Sequence, residues 1–294
     1  MAARGPDWAT WVDRLRGTVR DLLDEWELST DGAMMHGFVG LVVPVRTADG
    51  AAAAMKISFP DEESEHEHLA LQRWGGRGAV RLLKADPHRA AMLLDRVGPD
   101  RLTDTWDIEA CEIVAGLYAQ LHVPALPQLR LLTSYVDRWT NELAALRPAA
   151  PLPRRLVEQA VSLGRDLVAD EASTGTLIHA DLHYENVMAH GAAEGRGWLA
   201  IDPKPLSGDS HYEPAPMLWN RVEELHGDLR RGVRRRFHAL VDTAGLDEDR
   251  ARDWVIVRML HNCLWAIQDD PGLEQDLNRQ RITTCIAAAK AVQD

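Results

Sequence analysis

The feature that most constrains this chain is a change of hydrophobic period near residue 103. Before it, apolar residues gather in short extended runs; after it, they recur at three- and four-residue intervals in one stretch after another. "GFVGLVVPVRTADGAAAAMKISF" reads as two strands joined by a turn at Asp49-Gly50, a dipeptide that tolerates the positive φ of a tight hairpin. "GAVRLL" and "AAMLLDRV" read as two more strands around the turn "ADPH". An amphipathic helix precedes them over 7–26, where Trp8, Trp11, Val12, Leu15, Val19, Leu22, Leu23 and Trp26 share a face. A second helix is predicted in "PDEESEHEHLALQRWGG", with Pro60 placed to open it and Gly75-Gly76 to close it.

From Thr103 onward the spacing predicts helices over 106–122, 131–146 and 153–169, separated by prolines at 124, 127, 148, 151 and 153. It predicts more over 214–225, 229–243, 247–268 and 273–292. Strands first and helices afterwards mean an α+β chain. A small antiparallel-sheet lobe with helices is expected over 1–95, followed by a larger, mainly helical lobe over 96–294. No internal repeat or low-complexity segment interrupts this order.

Composition narrows the chemistry. The 33 Lys and Arg against 45 Asp and Glu leave a formal charge of −12, which repels nucleic acid and anionic membrane and attracts a cationic small molecule. Cys111, Cys263 and Cys285 lie far apart with no CxxC pair, so neither a disulfide framework nor a thiolate zinc site is indicated. No run approaches the roughly 18 uncharged apolar residues of a membrane span, and charge precedes any signal-length apolar run, so a cytoplasmic location is expected.

One stretch concentrates polar chemistry: "TLIHADLHYENVMAHG", residues 176–191. His179, Asp181 and Asn186 form H-x-D-x-x-x-x-N, and Asp202 lies sixteen residues beyond Asn186 in "LAIDPKP". Phosphoryl transfer requires such a set: a carboxylate, here Asp181, to orient and deprotonate a hydroxyl, and hard oxygen ligands, here Asn186 and Asp202, to hold a divalent metal against nucleotide phosphates. Lys56, on a strand followed by a Glu-bearing helix, supplies a cation for the α- and β-phosphates and an acid to hold it. A metal-dependent hydrolase is the alternative from another class. His179, Asp181 and His183 would ligate zinc, with a further ligand from His211, His226 or His261. That reading leaves Asn186, Asp202 and Lys56 without a role.

On these residues the chain resembles the aminoglycoside phosphotransferases, relatives of the protein kinases with a two-lobed fold. "GGRGAVRLL" (75–83), "HADLHYENV" (179–187) and "IDPKPLSGDSHYEPAPMLWN" (201–220) resemble the branch of streptomycin 6-phosphotransferases and aminoglycoside/hydroxyurea resistance kinases. The resemblance implies ATP (or GTP) with Mg2+ and a cationic aminoglycoside acceptor, streptomycin first, in antibiotic resistance; the runner-up is a kinase of another small metabolite. It implies Asp181 as catalytic base, Asn186 and Asp202 as magnesium ligands and Lys56 as phosphate contact. Glu67 is chosen as the Lys56 partner over Glu63 and Glu65. The Asp95 carbonyl and Val97 amide of "LLDRV" are expected to meet the adenine edge. The acceptor is expected near Asp269, Asp270 and Glu274, which the buried stripe Leu260, Leu264 and Ile267 would leave free past the helix end. His179 is expected to be structural and His183 to shape the loop, while Trp219 and Trp265 stand close to the expected acceptor site.

The departures are informative. Asp202-Pro203-Lys204 replaces D-F-G and no A-P-E follows, which argues for a small-molecule acceptor. Gly32, Gly37 and Gly40 do not make G-x-G-x-x-G, so the phosphate loop is placed at "MMHGFVG" by position alone. Glu213 stands where the family often has an aspartate that caps the catalytic loop.

Overall fold

The computed structural model describes residues 6–37, 39–147, 150–191, 197–225, 227–270 and 272–293. They form two compact units: Met1–Pro99 with Ala189–Lys204, and Asp100–Met188 with Pro205–Asp294.

In the first unit, helix α1 (Pro6–Glu25) leads into strands β1 (Ser29–Thr30), β2 (Met35–His36), β3 (Gly40–Arg46) and β4 (Ala52–Ser58). Helix α2 (Glu67–Trp74) follows, then β5 (Leu82–Asp86) and β6 (Ala91–Asp95). The sheet runs β1-β3-β4-β6-β5 with β2 on β3, all neighbours antiparallel. Side chains alternate across a strand, and β4 shows what that does. Ala53, Met55 and Ile57 join Val43, Val45, Ala91 and Leu93 in a core covered by Val19 and Leu22 of α1. Lys56, one residue out of phase, therefore faces the other side of the sheet. The Asp49-Gly50 turn forms as expected, with Gly50 at φ 85° and its N–H donating to Thr47 O at 2.8 Å. Gly40 is needed where β3 meets β4, because a Cβ there would stand 3.0 Å from Ile57 O.

Helix α2 begins at Glu67, not near Pro60. Asp61 accepts from the backbone N–H of Glu63 at 2.9 Å and Ser64 at 2.7 Å, and the segment before Glu67 is spent in turns. The helix ends at Gly75, left-handed at φ 58°.

The second unit carries α3 (Asp107–Leu121), β7 (Val123–Pro124), α4 (Leu132–Ala144), α5 (Arg154–Ala169) and β8 (Thr176–Ile178). Strand β9 (Val187–His190) pairs with β10 (Gly197–Ala200), and the chain returns to the second unit at β11 (Leu206–Gly208), which pairs with β8. Helices α6 (Ala215–Trp219), α7 (Leu229–Ala244), α8 (Glu248–Asp269) and α9 (Asp276–Ala291) complete it. Pro148, expected between two helices, lies outside the described residues. Within the first unit, Ala200 N donates to Gly78 O and Val80 N to Ala200 O, both at 2.9 Å, which fixes the end of β10 just before Asp202.

The helix expected over 214–225 stops at Trp219. Arg221 is left-handed at φ 52°, and the carbonyls of Met217, Asn220 and Arg221 accept from the buried Arg236 guanidinium at 3.3, 2.6 and 2.9 Å, not from helical N–H groups. All three cysteines are buried and free. Among the described residues no helix is long and apolar enough to cross a membrane.

Candidate active site

Two groups of polar side chains stand out, one in each unit. In the first, Lys56 Nζ lies 2.6 and 2.7 Å from the Glu67 carboxylate oxygens and 2.5 Å from Asp202 Oδ1. Glu67 is 1 % exposed, and its place follows from helix geometry: Glu67, Ala70, Leu71 and Trp74 form the buried stripe of α2. Glu63 and Glu65 precede the helix and are not on that stripe. Lys204 Nζ stands 3.3 Å from Asp202 Oδ2, so each carboxylate oxygen of Asp202 faces a lysine. Asp202 itself is left-handed at φ 56°, a conformation a non-glycine residue holds only when its surroundings over-determine it.

The charges balance. Burial works against the Lys56 ammonium, but Glu67 and Asp202 more than offset it and raise its pKa. Burial likewise raises Asp202, and Lys56 with Lys204 overcomes it, holding the carboxyl well below its ordinary range. Burial pushes Glu67 up, and one ammonium shared between two carboxylates does not fully reverse that. The ionised, part-exposed Asp202 suits a divalent cation, because hard oxygen is the donor Mg2+ selects.

The 95–97 segment is pinned in the same unit. Asp95 N donates to Arg81 O at 2.9 Å, Arg81 Nε reaches the Asp95 carboxylate at 2.7 Å, and Arg96 reaches Asp31 at 2.7 Å and Ala53 O at 3.1 Å. Val97 follows, half-buried, before Gly98 N donates to Ala189 O at 2.8 Å. At "MMHGFVG", β2 and β3 form a hairpin closed by Gly37 N on Gly40 O at 3.0 Å; Phe38 lies outside the described residues.

In the second unit the loop after β8 carries Asp181, and a short 3-10 turn, Tyr184–Asn186, follows it. Asn186 Nδ2 donates to Asp181 O at 2.8 Å and lies 3.2 Å from His183 Nε2, which leaves the amide oxygen as the atom available to a cation. Ala180 is left-handed at φ 61°. Two buried side chains hold it there. Glu213 Oε1 accepts from His179 N at 2.5 Å and Ala180 N at 3.3 Å, while Arg258 donates to Ala180 O. Glu213 is fixed in turn by Tyr118, whose hydroxyl donates to Glu213 O at 3.1 Å, and His122 lies 3.8 Å from its carboxylate. Burial alone would raise the Glu213 carboxyl, but His122, His179 and the loop amides outweigh it, and its pKa is lowered. The longer acid therefore caps the loop. Beneath the turn, Tyr184 Oη and Arg236 Nε both donate to Asp107 Oδ1, at 2.9 and 2.7 Å.

Arg258, Tyr118 and His122 were not singled out from the sequence. Arg258 had a signal, a charge inside the apolar run "VIVRML".

The zinc alternative does not assemble. His179 Nδ1 accepts from Asp181 N at 3.2 Å, and His211 is held by Asp209 at 2.6 Å and Asp247 N at 3.1 Å. His261 Nε2 sits 3.3 Å from Thr140 Oγ1. His226 lies outside the described residues, and among the described ones no group of three His, Cys, Asp or Glu can hold a metal.

The expected acceptor acids need one correction. Asp270 is not free: it is buried, and its carboxylate accepts from Gln275 N at 2.8 Å, tying down the approach to α9, which starts at Asp276. Asp269, the last residue of α8, and Glu274 are exposed.

A small antiparallel sheet carrying a Lys–Glu–Asp set, ahead of a helical unit with a strained Asp-bearing loop, is the framework of a kinase-like phosphotransferase. An amicoumacin kinase solved with AMP-PNP and Ca2+ shares the fold, with a TM-score of 0.59 over 98 % of this chain and 95 % of that one at 11 % identity. The chain belongs to the aminoglycoside/hydroxyurea antibiotic resistance kinases, whose family model matches residues 25–270. A streptomycin 6-kinase of Streptomyces griseus is 41 % identical over 90 % of this chain and 87 % of its own length. A hydroxyurea phosphotransferase of Kitasatospora aureofaciens is 39 % identical over 88 % of this chain and 75 % of its own.

Proposed function

We propose that this protein transfers the γ-phosphate of ATP to a hydroxyl of a cationic aminoglycoside, streptomycin first, in the cytoplasm and as a means of resistance. The Lys56–Glu67–Asp202 set carries the reading, in a chain 41 % identical to a streptomycin 6-kinase. Lys56, held charged by Glu67, binds the α- and β-phosphates; the Asp95 carbonyl and Val97 amide meet the adenine. Asn186 and Asp202 would hold a magnesium ion through their side-chain oxygens, and the ion would supply positive charge to offset that of the phosphates. Asp181 orients the acceptor hydroxyl and takes its proton. Asp269 and Glu274 remain candidates for contact with cationic groups of the acceptor.

The test is ATP consumption by the purified protein against streptomycin, other aminoglycosides, hydroxyurea and simple amino sugars, with mass spectrometry of the product. A streptomycin phosphate is the expected result. Phosphorylation of hydroxyurea alone, or of none of these, would overturn the acceptor assignment.

A further inference from the structure

Lysine is scarce in this chain. Of its 33 basic side chains only four are lysines, Lys56, Lys84, Lys204 and Lys290, and arginine supplies the rest. Lys84 and Lys290 are exposed. The other two stand on one carboxylate: Lys56 Nζ lies 2.5 Å from Asp202 Oδ1, and Lys204 Nζ lies 3.3 Å from Asp202 Oδ2. Their side chains are only 11 % and 17 % exposed, so neither rests in solvent. A chain that otherwise uses arginine therefore keeps both of its covered lysines at the residue expected to hold magnesium. The choice has a physical reason. A guanidinium grips a carboxylate through two parallel N–H bonds, whereas an ammonium is a point charge on a flexible stem that can exchange one oxygen for another.

Lys56 has a full set of partners. An ammonium carries three N–H donors, and the contacts to the two Glu67 oxygens, at 2.6 and 2.7 Å, and to Asp202 account for all of them. Released by Asp202, Lys56 still has Glu67. Lys204 is placed differently. When the oxygens of Asp202 serve a divalent cation, Lys204 needs another anion, and both oxygens of Glu67 are held by Lys56. The backbone around Lys204 is stiff. Asp202 is left-handed at φ 56°, the ring of Pro203 locks the next φ, and Pro205 confines Lys204 to extended conformations. The ammonium is therefore presented from a fixed point, and its flexible stem makes the exchange.

From this pair of lysines on one carboxylate we propose that Lys204 contacts the γ-phosphoryl group of the nucleotide, exchanging Asp202 for a phosphate oxygen when Asp202 takes up its metal. The proposal deepens the phosphotransferase reading and rests on it. Lys56 then serves the α- and β-phosphates and Lys204 the group that is transferred. Lys204 forms no covalent bond and gives up no proton. The bond from the γ-phosphorus to the β–γ bridging oxygen breaks, that oxygen leaves with ADP, the bond to the acceptor oxygen forms, and the hydroxyl proton passes to Asp181. The charge on Lys204 offsets that on the peripheral oxygens of the group in transit.

The experiment uses the full chain and its Lys204→Met variant, and measures melting temperature and the affinities for Mg·AMP-PNP and Mg·ADP. Lys204→Met is expected to weaken AMP-PNP at least about tenfold, the scale of one charge-assisted hydrogen bond, and to leave ADP within about twofold. Equal losses for the two nucleotides would mean that Lys204 only shapes Asp202, and no loss for either would mean that it meets no phosphate. Both results overturn the proposal and leave the phosphotransferase reading standing. A parent that binds neither nucleotide overturns that reading, and the proposal with it. A second measurement decides if Lys204→Met does not fold. With lysine labelled with 13C at Cε, the parent gives four side-chain signals, and Lys84→Arg and Lys290→Arg, at exposed positions, identify two of them. Of the remaining two, one is expected to shift with either nucleotide and the other with AMP-PNP alone. Two signals that respond alike to ADP and AMP-PNP overturn the proposal.

Discussion

Lys56 Nζ lies 2.5 Å from Asp202 Oδ1, joining a strand near the start of the chain to a turn 146 residues later, while its other contacts go to Glu67. One ammonium therefore serves two carboxylates, one of them fully buried. Lys56→Met should destabilise the protein by about 3–5 kcal/mol in urea denaturation, because it leaves Glu67 as an uncompensated buried charge. The double variant Lys56→Met, Glu67→Leu should recover part of that loss while remaining inactive. A single variant as stable as the parent would mean that Glu67 is already neutral.

Asp202 is expected to be irreplaceable as an oxygen donor. Asp202→Ala should abolish magnesium-dependent turnover, and Asn186→Ala should raise the magnesium concentration needed for half-maximal rate. Titration of AMP-PNP with and without magnesium gives a second readout: the magnesium-dependent gain in affinity should vanish in Asp202→Ala. An unchanged gain would remove Asp202 from the metal site.

Asp181→Asn keeps the shape of the side chain and removes the base. Its kcat should fall at least about a hundredfold, with nucleotide affinity within a few-fold of the parent. Normal turnover would assign the proton to another group.

Glu213 separates capping from charge. In Glu213→Gln an amide oxygen can still accept from His179 and Ala180, whereas Glu213→Ala leaves both buried N–H groups unpaired, at about 1–3 kcal/mol each. The alanine variant should lose stability and kcat together with little change in KM for ATP, and the glutamine variant should keep most of both. Equal damage from both variants would show that the charge matters more than the cap.

His261 predicts an acid limit. Burial first, and the Arg258 charge second, push its imidazole down to about 3 from an ordinary value near 6.5. The folded state holds it neutral while the unfolded state protonates it. The stability it contributes is present in full above about pH 6.5 and is lost as pH falls toward 3, by up to about 1.4 kcal/mol per unit. Denaturation curves at stepped pH should show this slope, and His261→Gln should flatten it. An identical slope in the variant would assign the acid sensitivity elsewhere.

Much of this was legible in the sequence because it depends on neighbours along the chain. Strand alternation determines that Lys56 faces away from Met55 and Ile57, and the four-residue spacing of Glu67, Leu71 and the turn-later Trp74 puts that one glutamate on the inward stripe of its helix. The run from His179 to Asn186 likewise shapes itself, since Asn186 bonds back to Asp181 O within five residues. Tertiary structure alone decided the rest. Where α2 starts depended on Asp61 capturing N–H groups that Pro60 left open to a helix. That Asp270 serves the α9 approach while Asp269 stays exposed turned on a local bond to Gln275. Arg258 reaching Ala180 across 78 residues, and Trp265 meeting Tyr135 and Trp139, have no spacing rule, because contacts between helices are set by how whole faces pack and not by the order of residues along either one.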